Sequence, residues 1–348
     1  MMMVGVMAAA LWGIGALMGA PTRARWTMIG LLFVAVIFVQ LALPQGHPLR
    51  TATGGDARFW ALLLGLAALV WIYRRGLLWL RARARPETAE TVRVAGSFSD
   101  GELSRYARQI TLREIGGPGQ KALRDAKVLV VGAGGLGSPA LQYLGATGVG
   151  TIGVIDDDVV EAANLARQVI HTDARIGMPK VFSANEALTA QNPFVTVRPY
   201  HRRLTAEVAA ELLGDYDLVL DGTDNFETRY LVNQTCVRLG KPLIAAALTQ
   251  WEGQISVYDP AQGAPCYACV FPQSPDPSLV PSCAEAGVLG PLPGVVGAMM
   301  AVEAVKIITG AGETLRGRLL IYDALYGENR VIGAKRRPDC AVCGAGAD

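Results

Sequence analysis

The sequence predicts a Rossmann-like, doubly wound and mostly parallel α/β sheet, preceded by about three transmembrane helices. Three observations carry this. From residue 100 onward, apolar β-runs alternate with helical stretches, the pattern of a parallel sheet with crossover helices. The first of those runs breaks into a glycine loop that opens an apolar helix, Lys127-Val-Leu-Val-Val-Gly-Ala-Gly-Gly-Leu-Gly-Ser138. Ahead of them, three long apolar runs fill the first quarter of the chain.

The chain has 348 residues, room for one large domain or two small ones. It is 51% hydrophobic and 18% charged, with a mean hydropathy of +0.30, and the apolar excess is concentrated near the N-terminus. A net charge of +2 gives no case for nucleic acid.

Residues 3–20 and 26–44 carry only apolar and neutral side chains. Each is near the roughly 20 residues that a helix needs to cross a bilayer. Residues 59–73 are fewer, but reach that length if Arg74 and Arg75 snorkel and residues 77–80 are included. A cleavable signal peptide is the other reading of the first run, which lacks the basic stretch such peptides begin with. Trp26, Trp60 and Trp79 suit interfacial anchoring. Arg74, Arg75, Arg81, Arg83 and Arg85 follow the third run, which puts that flank in the cytoplasm. Three spans then turn the N-terminus and residues 45–58 outward and Arg23 and Arg25 inward, with Arg50 and Arg58 against the rule. The predicted organisation is a membrane anchor at 1–81, a polar linker at 82–99 and an α/β domain at 100–348. The expected location is the inner (cell) membrane, multi-pass, with the α/β domain in the cytoplasm.

Within that domain an amphipathic helix at 101–109 leads to a loop at Gly116-Gly-Pro-Gly119. The predicted strands are 128–131, 151–155, 196–199, 218–220 and 243–246. The predicted helices are 138–146, 180–190, 206–213 and 227–239. Residues 254–258 and 318–322 read as further strands, of antiparallel character. The apolar stretch 294–310 carries Glu303 and Lys306 and reads as a core or dimer-interface helix rather than a fourth span.

Gly132, Gly134 and Gly137 fit G-x-G-x-x-G, with Gly135 inside the loop. Asp156 ends the next apolar run, roughly 20 residues on, where an acid can meet a ribose hydroxyl. The glycines let the backbone approach a phosphate, and a helix N-terminus offers it free N–H groups. A nucleotide therefore binds here, as redox cofactor or as substrate. Asn164-Leu-Ala-Arg-Gln168, Gly177-Met-Pro-Lys180 and Asp221-Gly-Thr-Asp-Asn225 bear on the choice. Singly, Arg167 and Lys180 could be solvated charges, and Asp221 and Asp224 could be helix caps. Yet Asp156, Asp221 and Asp224 all follow the carboxyl ends of predicted strands, where open α/β sheets bind ligands. Hydride transfer has no need of extra cations, whereas attack on the α-phosphate of ATP must offset charge on the leaving pyrophosphate.

With these motifs the chain resembles the ThiF/MoeB branch of the E1-like, ubiquitin-activating superfamily. The resemblance runs from residue 99 to the C-terminus. It includes Arg105-Tyr-Ala-Arg-Gln109, Cys283-Ala-Glu-Ala-Gly-Val288 and two C-x-x-C pairs. It implies binding of MgATP and adenylation of the C-terminal glycine of a small ubiquitin-like sulfur carrier. By resemblance Gly135 lies against the phosphates and Asp156 holds the ribose. Asn164, Arg167 and Lys180 bind the triphosphate, and Asp224 serves Mg²⁺ and the reacting phosphate, with Asn225 beside it. Arg108 reaches into the partner subunit's site, which implies a homodimer. Ala166, where molybdopterin-type members usually have Gln, and Asp157, where a neutral residue is commoner, depart from the pattern.

Four of the six cysteines form the pairs Cys266-Tyr-Ala-Cys269 and Cys340-Ala-Val-Cys343. Four thiolates suit a tetrahedral structural Zn²⁺, though a redox C-x-x-C has the same spacing. The resemblance places zinc there. Cys283 lies in a Pro/Ser-rich stretch, and in the family this cysteine can link covalently to the carrier, although a loop thiol without consequence fits equally. Cys236 reads as core, and none of His47, His171 and His201 is placed to suggest a ligand.

The expected protein is thus a membrane-anchored, zinc-containing, homodimeric adenylyltransferase acting on a MoaD-like or ThiS-like carrier. Molybdopterin synthesis is the first expectation and thiamine thiazole synthesis the second. Sulfur would come from a separate sulfurtransferase or cysteine desulfurase. The rivals are a membrane-anchored NAD(P)-dependent oxidoreductase and an inactive scaffold.

Overall fold

The computed structural model describes residues 2–54, 56–84, 97–274 and 286–344. It divides into two compact units, Met1–Ala95 and Gly96–Asp348.

The first unit contains helices α1 (Met2–Leu17), α2 (Thr22–Ala42), α3 (Pro48–Ala52) and α4 (Ala57–Ala84). Gly19, at φ 69°, and Pro21 end α1 at 16 residues. At about 1.5 Å per residue it falls short of a bilayer core of about 30 Å, so the first run is shorter than expected. By length and composition, Thr22–Ala42 and Trp60–Leu77 are long and apolar enough to cross a membrane. Helix α4 continues through Arg74 and Arg75, and its last turn takes in residues 82–84 of the expected linker. Residues 85–96 lie outside the described residues. Trp60 is buried with Val4 and Val36, edge-on to Phe33 at 5.6 Å between ring centroids. Gln40 Nε2 donates to Thr53 Oγ1 at 2.8 Å and to the Arg50 carbonyl at 3.0 Å, tying α3 to the end of α2.

The second unit is an eight-stranded sheet of order β3-β2-β1-β4-β5-β6-β7-β8. The strands are β1 (Lys127–Val131), β2 (Thr151–Asp156), β3 (Thr196–His201), β4 (Leu218–Asp221), β5 (Leu243–Leu248), β6 (Glu252–Tyr258), β7 (Arg318–Asp323) and β8 (Glu328–Gly333). The first five are parallel and the last three antiparallel. Strand order reverses between β1 and β4, which creates the crevice where such sheets bind ligands. Its helices are α5 (Asp100–Ile110), α6 (Gly116–Asp125), α7 (Gly137–Thr147), α8 (Lys180–Gln191), α9 (Ala206–Gly214), α10 (Phe226–Leu239), α11 (Tyr267–Val270) and α12 (Leu292–Thr309).

Strand alternation sends side chains to two cores. Val128 and Val130 pack with Leu141 and Leu144 of α7, Val181 and Leu188 of α8, and Val296 and Met300 of α12. Leu129 and Val131 pack on the opposite face with Leu213 of α9 and Val232 of α10. Each such side chain, fully buried, contributes about 1.5–3 kcal/mol.

Helix α12 is apolar and long enough to cross a membrane, yet it lies in the first of these cores. A Cβ on Gly297 would collide with the Leu136 carbonyl and Pro139, so glycine here permits close approach to α7. Its buried Glu303 pairs with Lys306 and accepts the Leu315 N–H at 2.8 Å. That pairing is how a core helix keeps a carboxylate.

Residues 116–119 form the first turn of α6 rather than a loop. Pro118 is tolerated there because first-turn N–H groups have no intrahelical acceptor. Strand β8 was missed because it is exposed along its whole length and carries no apolar alternation.

Candidate active site

The crevice opens at the carboxyl ends of β1, β2 and β4. Val131 pairs with Asp221 across β1 and β4, and its carbonyl accepts the Gly222 N–H at 3.0 Å. Gly132 turns the chain away at φ 92°. A Cβ on Gly137 would run into the Gly132 carbonyl, so the close turn into α7 requires glycine.

Asp156, ending β2, accepts the Ala133 N–H on Oδ2 at 2.7 Å and the Asp158 N–H on Oδ1 at 2.8 Å. Burial raises its carboxyl above the usual range, with the Ala133 N–H and Lys180 opposing. Each oxygen keeps a lone pair for a further donor.

Arg167 Nη2 donates to Asn164 Oδ1 at 2.8 Å, and Nη1 to the Ala163 carbonyl at 3.2 Å. Arg167 Cδ and Pro293 both border the space beside Gly135, within 4.0 Å and 3.3 Å of where a Cβ would sit. Lys180 opens α8, nearly fully buried, with Nζ 2.7 Å from Asp158 Oδ2.

Asp221 is 1% exposed, and Oδ1 accepts the Thr223 N–H at 2.9 Å and hydroxyl at 2.6 Å. It shapes the loop from beneath. Thr223 and Gly222 abut the glycine loop, 3.5 and 3.3 Å from the position of a Cβ on Gly132. Asp224 follows, exposed and without a side-chain bond among the described residues. Neither aspartate caps α10. Asn225 does, accepting the Thr228 N–H at 2.9 Å, so its side-chain oxygen is committed to the helix.

The two C-x-x-C pairs meet 74 residues apart. Cys266 Sγ lies 3.8 Å from that of Cys269 and 3.6 Å from that of Cys340, and Cys269 Sγ lies 3.4 Å from that of Cys343. All four are buried, and their ligand atoms lie within 4.8 Å of one another. A tetrahedral ion with Zn–S of about 2.3 Å sets its sulfurs about 3.8 Å apart, which these separations match. The Arg337 N–H donates to Cys269 Sγ at 3.4 Å. Burial disfavours the Cys340 thiolate, but the Val342 and Cys343 N–H groups donate to it, bringing it to about 7.

Residues 106–342 match the ThiF family. The chain belongs to the ThiF family. It is 52% identical over 247 residues to the sulfur carrier protein adenylyltransferase of Thermus thermophilus, covering 70% of this chain and 91% of that one. It is 49% identical over 264 residues to the adenylyltransferase and sulfurtransferase MOCS3 of Bos taurus, covering 74% of this chain and 58% of that longer protein. The crystal structure of E. coli MccB with ATP superposes with a TM-score of 0.61 at 25% identity, covering 69% of this chain and 74% of that one.

Of the expected site residues in this ThiF-family chain, the structure groups Gly132, Gly134, Gly135, Gly137, Asp156, Asn164, Arg167 and Lys180, with the Asp224 loop against the glycine loop. Arg108 stands exposed on α5, with no side-chain hydrogen bond or ion pair to this group among the described residues. Cys283 lies outside the described residues. His171, to which the sequence assigns no role, belongs with this group. It is buried against the glycine loop, with Nε2 3.0 Å from the Ala133 carbonyl. Its place between the Asn164–Gln168 motif and Lys180 was the available signal.

Proposed function

We propose that this chain is an ATP-dependent adenylyltransferase that activates the C-terminal glycine of a small ubiquitin-like sulfur carrier. The acyl-adenylate then serves sulfur transfer, in molybdopterin synthesis. The observation that carries this reading is the convergence of Arg167, Lys180 and the Asp224 loop on the glycine loop. A carboxylate is a poor acyl donor. Attack of the carrier's terminal carboxylate oxygen on the α-phosphorus forms an acyl–O–P bond, breaks the bond to the bridging oxygen and expels pyrophosphate. No protein nucleophile is required, and the chain's contribution is position and charge. The glycine-loop N–H groups and Gly135 receive phosphate oxygens, and Asp156 orients the ribose. Asn164, Arg167 and Lys180 hold the triphosphate, with Lys180 exchanging Asp158 for phosphate. Asp224 is the residue to hold Mg²⁺, which when bound offsets charge on the leaving group.

Cys266, Cys269, Cys340 and Cys343 fit a closed structural Zn²⁺ site that fastens the C-terminal segment to α11. Arg108 completes the site of a second subunit in a homodimer. Residues 1–81 anchor the protein in the inner membrane and 100–348 form the enzyme. The arginines after the third apolar run hold that enzyme in the cytoplasm. A cysteine desulfurase or sulfurtransferase supplies the sulfur.

The test is ATP–pyrophosphate exchange by the full chain in detergent, with carriers ending in Gly-Gly. Exchange that requires a MoaD-type carrier is the expected result. Exchange with a ThiS-type carrier alone would move the assignment to thiazole synthesis, and no exchange with either would refute it.

A further inference from the structure

Three segments of the phosphate crevice meet at one buried imidazole. His171 is 5% exposed. Its Nε2 lies 3.0 Å from the Ala133 carbonyl in the glycine loop. A carbonyl only accepts, so Nε2 carries the proton, and Nδ1 then accepts the Ser183 hydroxyl at 2.8 Å. Ser183 is fully buried on α8, one turn past Lys180. The His171 backbone N–H donates to the Gln168 carbonyl at 3.1 Å. That closes the turn in which the Arg167 and Gln168 N–H groups bond to the Asn164 carbonyl. Ser138, at the start of α7, adds its hydroxyl to the Ala133 carbonyl at 3.2 Å.

We propose that His171 is a positioning residue for ATP, pinning the glycine loop, the Asn164–Gln168 turn and the Lys180 helix into one preformed phosphate cradle. It touches no substrate. Nε2 fixes the Ala133 carbonyl and Nδ1 holds Ser183 of α8, while Asp156 fixes the same residue by its N–H at 2.7 Å. The N–H groups on the far side of that loop are thereby held in the orientation a phosphate meets. Without the pin, three segments must be ordered at the moment of binding, and that ordering is lost from the affinity. Burial, with Lys180 and Arg175 nearby, holds the ring in the neutral form that this pattern needs.

The inference takes MgATP as ligand from the proposed function, and binding rather than turnover is therefore the measurement. His171→Ala, His171→Gln and Ser183→Ala chains would be titrated calorimetrically with MgATP in detergent, after far-UV circular dichroism confirms folding. His171→Ala is expected to bind about tenfold more weakly, the loss of a buried hydrogen-bonded group. His171→Gln keeps a donor for Ala133 and recovers part of that loss. The KM for ATP in exchange rises with the dissociation constant, while the KM for the carrier stays as in the wild type. Folded His171→Ala that binds MgATP like the wild type would overturn the proposal. If that variant fails to fold, Ser183→Ala decides: unchanged affinity overturns the proposal, and weaker affinity supports it. A wild type that binds MgATP without exchanging pyrophosphate sinks the proposed reaction and leaves this inference standing. A wild type that binds no MgATP sinks both.

Discussion

Lys180 Nζ lies 2.7 Å from Asp158 Oδ2, with the lysine side chain 5% exposed and the aspartate 67% exposed. The partners are unequal: the buried cation depends on the aspartate, which can swing into water. A triphosphate entering the crevice competes with Asp158 for that cation. Asp158→Asn is expected to lower the melting temperature of the free protein by about 2–4 °C, because it leaves a buried charge unpaired. It is also expected to enlarge the stabilisation that MgATP confers, since no aspartate then has to be displaced. Melting curves with and without MgATP check both, and an unchanged nucleotide shift would contradict the competition.

Asp224 carries no structural bond of its own among the described residues, while Asp221 below it holds Thr223. Asp224→Ala should therefore melt like the wild type and lose ATP–pyrophosphate exchange by at least about a hundredfold. Normal exchange in this variant would remove Asp224 from the chemistry.

Cys266 touches both Cys269 and Cys340 within the four-sulfur cluster. Cys266→Ser is expected to reduce bound zinc from about one per chain to near none, and to lower stability with it. Elemental analysis of purified protein is the measurement, and an unchanged metal content would rule out the four-thiolate site.

Burial, aided by Lys180 and Arg175, holds His171 below its ordinary value of 6.5. The unfolded chain then takes up a proton near that value when the folded chain does not. Stability is complete above about pH 6.5 and declines as pH falls below it. His171→Gln lacks the titrating ring and should show a shallower decline from about pH 7 to pH 5.5. Comparing the two chains by denaturant titration cancels Asp156 and every other shared group, and parallel pH profiles would refute the assignment.

The two units are separately compact. Deleting residues 1–95 should give a protein that stays soluble without detergent and keeps exchange activity. Sedimentation after expression and an exchange assay read the outcome, and a folded but wholly inactive product would assign the first unit a role beyond anchoring.

Much of the α/β unit was legible because its central strands are buried on both faces, so each reads as an unbroken apolar run. Val128 to Val131 and residues 243–246 are of this kind. Strand β8 was illegible for the opposite reason, being an exposed edge. The helix at Gly116 was hidden by glycine and proline in a first turn, where neither breaks anything. In the site, Gly132, Asp156, Arg167 and Lys180 could be named from motifs. The part played by His171 could not, because it depends on which backbone carbonyl its ring meets after folding. Likewise Asn225 and Asp224 are neighbours of similar character, and only the geometry assigns one to the helix and leaves the other free.

Helix α12 lies in sequence between the two cysteine pairs, and by hydropathy it could pass for a span. If it crossed a bilayer, Cys340 and Cys343 would emerge on the opposite side from Cys266 and Cys269. Sulfurs 3.6 and 3.4 Å apart forbid that. The cluster therefore acts as a parity check on topology: the chain between residues 269 and 340 must leave and return on one side. A hydropathy count that includes α12 as a span is incompatible with the joined cysteine pairs.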